Sequence, residues 1–288
     1  MNRQTEILVC PARFEYQEGY NEINPWMGER YTVDSEVASK QWGNMFKCIR
    51  FCVGNENIRL IKPEALFPDM IFVRNAGIVI PRDEHSQKKR VILASFKHKE
   101  RQGEREFYRK WFEQNGFEII SLPDSVIFEG GGEAIWWKQT LFFGYGFRAS
   151  MRDAVSLGLT LAGAHVKGNM LLLELIDKRF YHLDTAFMPI RGDGENTGDV
   201  LVYYPGAFSK GANKIIESLQ MERIAVTEED ACAFGCNLLA LGNNIIMAKG
   251  TKKLASILKE HGFIVFELNM NEIKKGGGSV YCMTLNLS

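Results

Sequence analysis

Near its C-terminus the chain reads Gly276-Gly277-Gly278-Ser279-Val280-Tyr281-Cys282. A cysteine delivered by a glycine-rich loop can serve as a nucleophile if its surroundings favour the thiolate. Taken alone, Cys282 reads more simply as a buried residue of a last strand, because free cysteine is among the most buried residue types. A second motif is His182-Leu183-Asp184. On a strand, alternation would place both polar side chains on one face, where Asp184 could hold or charge the His182 ring. A protonated His182 would in turn favour a Cys282 thiolate. The segment FEGGGEA sets Glu129 and Glu133 around three glycines, and FVRNAG carries Arg74 and Asn75. EEDACAFGCN carries Glu228, Glu229, Asp230 and Asn237. Singly, Glu129 could mark a solvated turn and His182 a satisfied core histidine. Together, a cysteine, a histidine and several carboxylates make a nucleophile, acid/base and anchor set. The carboxylates suit a planar, fork-like cation such as a guanidinium.

These residues fall in loops of equivalent position within a recurring order of loop, strand, turn, strand and helix. The order runs from RNAGIVIPRDEHSQKKRVILASF into the helix EREFYRKWFEQNG. It returns in GGGEAIWWKQTLFFGYGF with SMRDAVSLGLTLAG, in LDTAFMPIRGDGENTGDVLVYYP with FSKGANKIIESL, and in FGCNLLALGNNIIMAKG with TKKLASILKEHG. YCMTLNLS supplies a lone last strand, which TEILVCPA and the helix after it would complete as a fifth unit. Ser150, Ser209 and Thr251 have the residue types and positions of N-caps. Asn115-Gly116 and His261-Gly262 read as helix stops, and GNN between LLAL and IIMA as a hairpin turn. A period of about 50 residues predicts a closed, pseudosymmetric array with the polar loops converging on its axis.

Composition excludes other readings. With 288 residues and 45% apolar content, the chain can bury a large core. Thirty-five basic and 35 acidic residues balance, which gives no footprint for nucleic acid. The apolar runs are too short for a membrane span, and the first residues lack the apolar region of a signal peptide. The expectation is a soluble, cytoplasmic protein folded as one domain over residues 1–288. The cysteines Cys48 with Cys52 and Cys232 with Cys236 have C-x3-C spacing without a second pair or paired histidines, so no zinc site is expected. Ala38, Trp42, Met45, Ile49 and Cys52 share a helical face and read as core.

The motifs FEGGGEA, HLDT and GGGSVYCMTLNL, in this order and across nearly the whole chain, resemble those of the guanidino-group-modifying superfamily, the penteins. That superfamily includes arginine deiminases, dimethylarginine dimethylaminohydrolases and amidinotransferases. INPWM (23–27), RNAG (74–77), KERQGE (99–104), GYGFR (144–148) and FYHLDT (180–185) are most similar to the arginine dihydrolase branch. The resemblance implies a fivefold α/β-propeller of ββαβ-type units with the active site on its axis. It implies Cys282 as nucleophile, His182 as general acid/base, and Glu129 and Asp184 as carboxylates touching the guanidinium or His182. Asn75, Asn24 and Glu133 fall at substrate-binding positions. Arg148 matches an arginine that holds a substrate α-carboxylate, with Arg101 a second candidate for that task. No cofactor or metal is implied, and the partner is a small guanidino compound; a homo-oligomer is compatible with the sequence. The chain departs from deiminases in carrying Asn75 where they carry aspartate, and Glu133 stands where aspartate is commoner. The expected reaction is hydrolysis of arginine through a thiouronium on Cys282, twice over, to ornithine, carbon dioxide and ammonia. The rival readings are one hydrolytic round to citrulline, transfer of the amidino group to an amine, and a non-catalytic pentein-like binding protein.

Overall fold

The structure is a computed structural model that describes residues 5–81, 88–192 and 197–288. The turns expected within PRDEHSQKK and GDGENT include residues 82–87 and 193–196 and lie outside the described residues. Among the described residues the strands are β1 (Ile7–Val9), β2 (Ile58–Leu60), β3 (Gly77–Ile80), β4 (Lys89–Leu93), β5 (Phe117–Ile120), β6 (Ala134–Trp137), β7 (Thr140–Tyr145) and β8 (Asn169–Glu174). They continue with β9 (Phe187–Ile190), β10 (Val200–Tyr203), β11 (Glu222–Ala225), β12 (Leu239–Leu241), β13 (Asn244–Ala248), β14 (Ile264–Leu268) and β15 (Leu285–Asn286).

They form five three-stranded sheets: β15-β1-β2, β3-β4-β5, β6-β7-β8, β9-β10-β11 and β12-β13-β14. In each, the middle strand pairs antiparallel with the first and parallel with the third. A parallel partner demands a crossover, and a helix supplies it every time. The helices are Ser35–Val53, Glu104–Gln114, Met151–Gly163, Lys210–Glu217 and Lys252–Glu260. The last strand joins the first unit, with Ile7 opposite Asn286 and Leu8 opposite Leu285. The third strand of each unit is what local sequence pattern did not show. β5, β8, β11 and β14 are outer, half-exposed strands and carry little apolar alternation.

The local signals have physical counterparts. Ser150 accepts from the Asp153 backbone in a capping box, and Ser209 accepts from Ala212. Thr251 stands at its helix N-terminus without capping it; its hydroxyl donates to the Ala248 carbonyl instead. Gly116 and Gly262 end their helices at φ of 75° and 87°, and Gly242 turns the β12–β13 hairpin at 60°. Tyr108 and Phe112 are fully buried on one face of their helix.

Residues from all five first strands, Ile78, Ile135, Pro189, Ala240 and Leu285, line one cavity of about 510 Å³. The five sheets therefore stand around a common axis. Where this cavity meets the polar loops it is lined by Arg74, Gly131 and Tyr281. No helix among the described residues is long and apolar enough to cross a membrane.

Candidate active site

The loops before the first strands are tight turns, mostly single turns of 3-10 helix at Val73–Ala76, Gly130–Gly132 and Leu183–Thr185. Hydrogen bonds link them in cyclic order. The Arg74 N–H donates to the Cys282 carbonyl (2.9 Å), and Asn75 Nδ2 donates to the Glu129 carbonyl (2.9 Å). His182 Nε2 meets Glu129 Oε2 at 2.9 Å. Asn237 Nδ2 donates to the Asp184 carbonyl (3.1 Å), and the Cys282 N–H donates to Asn237 Oδ1 (3.2 Å). Each of the five units is bonded to the next, and the ring holds Cys282, His182, Glu129 and Asp184 together.

Cys282 is not in a strand. It sits in a turn ahead of β15 and is only 3% exposed. Its thiol donates to Asp184 Oδ2 at 3.3 Å and its sulfur accepts from Asn237 Nδ2 at 3.0 Å. Burial, and then the charge of Asp184, push the thiol well above its ordinary range. The ring of His182 is also buried, and burial brings it down to about 4 although the Glu129 hydrogen bond acts the other way. Both shifts favour the neutral forms, a thiol and a neutral imidazole, so the protonated His182 that would favour a thiolate is not the form that burial promotes. A carboxylate can only accept, so His182 donates from Nε2 and its lone pair is on Nδ1. A Cβ at Gly132 would lie 2.8 Å from that Nδ1, so a side chain there would crowd the basic nitrogen.

The expected division of labour between the two carboxylates is also corrected. His182 precedes a 3-10 turn, so strand alternation does not govern His182 and Asp184. Glu129 takes the ring, while Asp184 faces the thiol. Burial works against charge on Glu129, but the Arg148 guanidinium and the His182 hydrogen bond outweigh it and hold the carboxyl well below its usual range. Arg148 Nη1 stands 3.6 Å from Glu129 Oε1, outside hydrogen-bond range, and the Lys97 N–H donates to the same oxygen at 3.1 Å. Asp184 has no such company. Burial raises it to about 7, only partly offset by the thiol, Arg74 and Asn237.

Several further candidates are already engaged with the protein. Glu133 accepts from the backbone N–H groups of Glu129 (2.6 Å) and Ala149 (2.8 Å), which makes it a brace for the Glu129 turn. Arg101 is gripped by Glu104 through two 2.8 Å hydrogen bonds and donates to Asn75 Oδ1 at 3.0 Å. Its guanidinium thus fixes the amide of Asn75. Asn24 Nδ2 donates to the Gly276 carbonyl (3.1 Å) and its Oδ1 accepts from the Trp26 N–H (3.0 Å), tying the N-terminal segment to the glycine loop. Arg148 Nη2 donates to the Ile23 carbonyl at 2.6 Å, and its Cζ lies 4.7 Å from the Tyr181 ring centre. Glu228, Glu229 and Asp230 are outside the ring: they belong to the short helix Glu228–Cys232, where Glu228 pairs with Arg179 and Asp230 accepts from the Leu254 N–H.

Among the described residues, the buried side-chain polar atoms with no hydrogen-bond partner include Arg148 Nη1, Asp184 Oδ1 and Ser279 Oγ. Buried polar atoms are rarely left so, and a spare acceptor on the carboxylate that meets the thiol, with a spare donor on the guanidinium beside Glu129, suits a polar ligand. Sequence reasoning placed Asn237 in the right loop but assigned it no part. Its position two residues before a first strand, like that of Asn75, was the available signal. Asp69, which accepts from Tyr16 and Tyr20, carried no local signal at all.

Residues 11–288 match the family model described as N,N dimethylarginine dimethylhydrolase, eukaryotic. The chain is 38% identical over 287 residues to the bifunctional arginine dihydrolase/ornithine cyclodeaminase ArgZ of Synechocystis, covering 98% of this chain and 37% of that protein. It is 31% identical to the N(G),N(G)-dimethylarginine dimethylaminohydrolase of Mycobacterium tuberculosis, over 92% of this chain and 80% of that one. A crystal structure of the N-terminal domain of ArgZ, described as a product-bound arginine dihydrolase from cyanobacteria, superposes with a TM-score of 0.86 at 36% identity. That match covers 99% of this chain and 98% of the solved domain. The chain thus spans under two fifths of its bifunctional relative but nearly all of the domain that carries the likeness. With a single family model running from residue 11 to the last residue, the chain belongs to the N,N dimethylarginine dimethylhydrolase family.

Proposed function

We propose that this chain is a cysteine-nucleophile hydrolase of the arginine guanidinium group, and specifically an arginine dihydrolase that forms ornithine, carbon dioxide and ammonia. The observation that carries the reading is a pair of buried atoms without a hydrogen-bond partner: the acceptor Asp184 Oδ1, on the carboxylate that takes the thiol's hydrogen bond, and the donor Arg148 Nη1, on the guanidinium beside Glu129. Arginine offers a guanidinium to the first and a carboxylate to the second. Likeness to ArgZ over its N-terminal domain supports the dihydrolase choice.

The cycle begins with entry of the cation: the Cys282 S–H bond breaks and its proton moves by way of Asp184 Oδ2 to His182 Nδ1, which leaves an ionised Asp184 and the Cys282 thiolate facing the cation. Sulfur attacks the guanidinium carbon. His182, carrying a proton at Nδ1 with Glu129 stabilising the imidazolium, passes that proton to the departing ammonia. The neutral ring then takes a proton from water, whose oxygen attacks the thiouronium carbon and releases the thiolate and citrulline. Repetition on the ureido carbon gives a second ammonia, then ornithine and carbon dioxide. The substrate carbon is already electrophilic, so the proposed cycle uses side chains alone.

Asn75 bears on whether the second round occurs. Its amide keeps one N–H and one lone pair beyond its bonds to Glu129 and Arg101. An amide can face either a guanidinium or a neutral ureido group. A carboxylate at that position would stay ionised beside Arg101 and would favour the cation. The second reading is a single round on a methylated arginine, favoured by the name of the Mycobacterium relative.

The deciding experiment is incubation with arginine, citrulline or dimethylarginine, with ornithine, citrulline and ammonia quantified by mass spectrometry and enzymatic assay. The expected result is two ammonia per ornithine from arginine, with citrulline also consumed. Citrulline as the sole product would replace the dihydrolase reading with the single-round one. Asn75→Asp is expected to shift the product toward citrulline by about one to two orders of magnitude, corresponding to one unsatisfied buried contact of roughly 1–3 kcal/mol.

A further inference from the structure

Asn237 is the polar side chain in the ring to which the reasoning above gives no chemical part. It is fully buried at the end of a tight turn in which Phe234 has φ of 63° and Asn237 N–H donates to the Phe234 carbonyl at 3.1 Å. Gly235 N–H bonds the Asp230 carbonyl at 2.8 Å, and a Cβ on Gly235 would sit 2.8 Å from that oxygen. The turn is thus fixed from two sides, and it presents the amide to two neighbouring units at once. Nδ2 donates to the Asp184 carbonyl and to Cys282 Sγ, while Oδ1 accepts from the Cys282 N–H. A flipped amide would set its oxygen against two acceptors and its NH2 against a donor, so the network fixes the orientation.

The sulfur needs such a donor. It is buried, the Asp184 carboxylate lies 3.3 Å away, and the hydroxyls of Tyr181 and Tyr281 are the other titratable groups that interact with it. The Arg74 guanidinium stacks on the Tyr281 ring and favours the ionised form of Asp184. The groups that favour the thiolate are the Ser279 backbone N–H and the Asn237 amide.

We propose that Asn237 is a catalytic residue, a fixed N–H donor that stabilises the Cys282 thiolate as it forms and attacks. The proposal rests on Cys282 being the nucleophile. In the step concerned the S–H bond breaks, its proton passes to Asp184 Oδ2, and the electron pair stays on sulfur. The charge of the pair is minus one before and after. An N–H bonded to sulfur gains strength when the sulfur becomes an anion, so Asn237 draws the transfer forward. A preorganised donor aimed at developing charge is typically worth about 10²–10³ in kcat.

The test is the pH profile of iodoacetamide alkylation at Cys282 in the full chain, read by intact mass, with Cys282→Ala confirming the site. Asn237→Asp keeps an acceptor for the Cys282 N–H but turns an acceptor toward the sulfur, and Asn237→Ala removes both contacts. In folded protein both are expected to raise the alkylation midpoint by about one pH unit or more, about tenfold slower reaction at a fixed pH below it. An unchanged midpoint in a folded variant would overturn the proposal, whatever the loss of turnover. If neither variant folds, the wild-type Asn237 Nδ2 proton resonances decide. They must titrate with the thiol, and their failure to do so overturns the proposal equally. Alkylation uses no guanidino substrate, so its outcome is separate from the dihydrolase assignment.

Discussion

Glu129 and Asp184 occupy comparable turns before successive first strands, and each is fully buried, yet they ionise in opposite senses. Glu129 lies beside the Arg148 guanidinium and accepts from the His182 ring and the Lys97 backbone. Asp184 has the Cys282 thiol on one oxygen and no partner on the other. Burial penalises both charges equally in kind, so what separates them is the supply of donors. One carboxylate is a permanent anion suited to stabilising an imidazolium. The other sits at about 7, poised to take a proton from the thiol or to meet a cation.

The largest expected effect tests the centre that both carboxylates serve. Cys282→Ala should leave no measurable turnover in a folded protein, because no other group supplies the nucleophile. His182→Ala should be nearly as severe and should accumulate a covalent adduct on Cys282, visible by intact mass, since hydrolysis of the adduct needs the base. Residual activity of more than a few per cent in Cys282→Ala would remove Cys282 from the mechanism.

Glu129→Gln sharpens the contrast directly. The amide keeps much of the shape but withdraws the charge behind His182, and turnover should fall by roughly 10²–10⁴-fold, as for loss of acid–base function. If the substitution were nearly silent, Glu129 would be scaffold and the proposed asymmetry would collapse.

Asp184→Asn should show itself in stability as well as rate. The folded carboxyl is raised to about 7 from its ordinary value of 3.8, so the neutral form is the one the fold prefers. Its stabilising contribution is fully present below pH 3.8 and is lost as pH rises through about 7. Wild type should therefore lose on the order of 2–4 kcal/mol on this account between pH 4 and pH 8, and Asp184→Asn should not. Urea midpoints at pH 5 and pH 8 measure the difference. Equal pH dependence in the two proteins would mean that Asp184 keeps its charge in the fold.

Arg148→Ala carries the smallest effect and separates two uses of one guanidinium. The loss should be about 10–100-fold greater on arginine than on agmatine, which lacks the carboxylate, because the missing contact is charge-assisted. Equal losses would assign Arg148 to its neighbours Glu129 and Ile23 alone.

The sequence by itself determined the chemical inventory and the repeated frame. Cys282, His182, Glu129 and Asp184 were legible from residue type, and Ser150, Ser209 and the GNN turn from rules that act over three or four residues. The tertiary structure decided who partners whom. Glu129 and His182 are 53 positions apart, Asn237 and Cys282 are 45, and Asp184 and Cys282 are 98. No local periodicity encodes the register between such loops, so alternation along H-x-D pointed Asp184 at the wrong neighbour. The same holds for Arg101 and Glu104, whose spacing suggests an ordinary helix pair, while burial and closure against Asn75 make them a clamp. Charge states were hidden for the same reason: a side chain's ionisation follows its burial and its donors, and both exist only once the five units have closed around their axis.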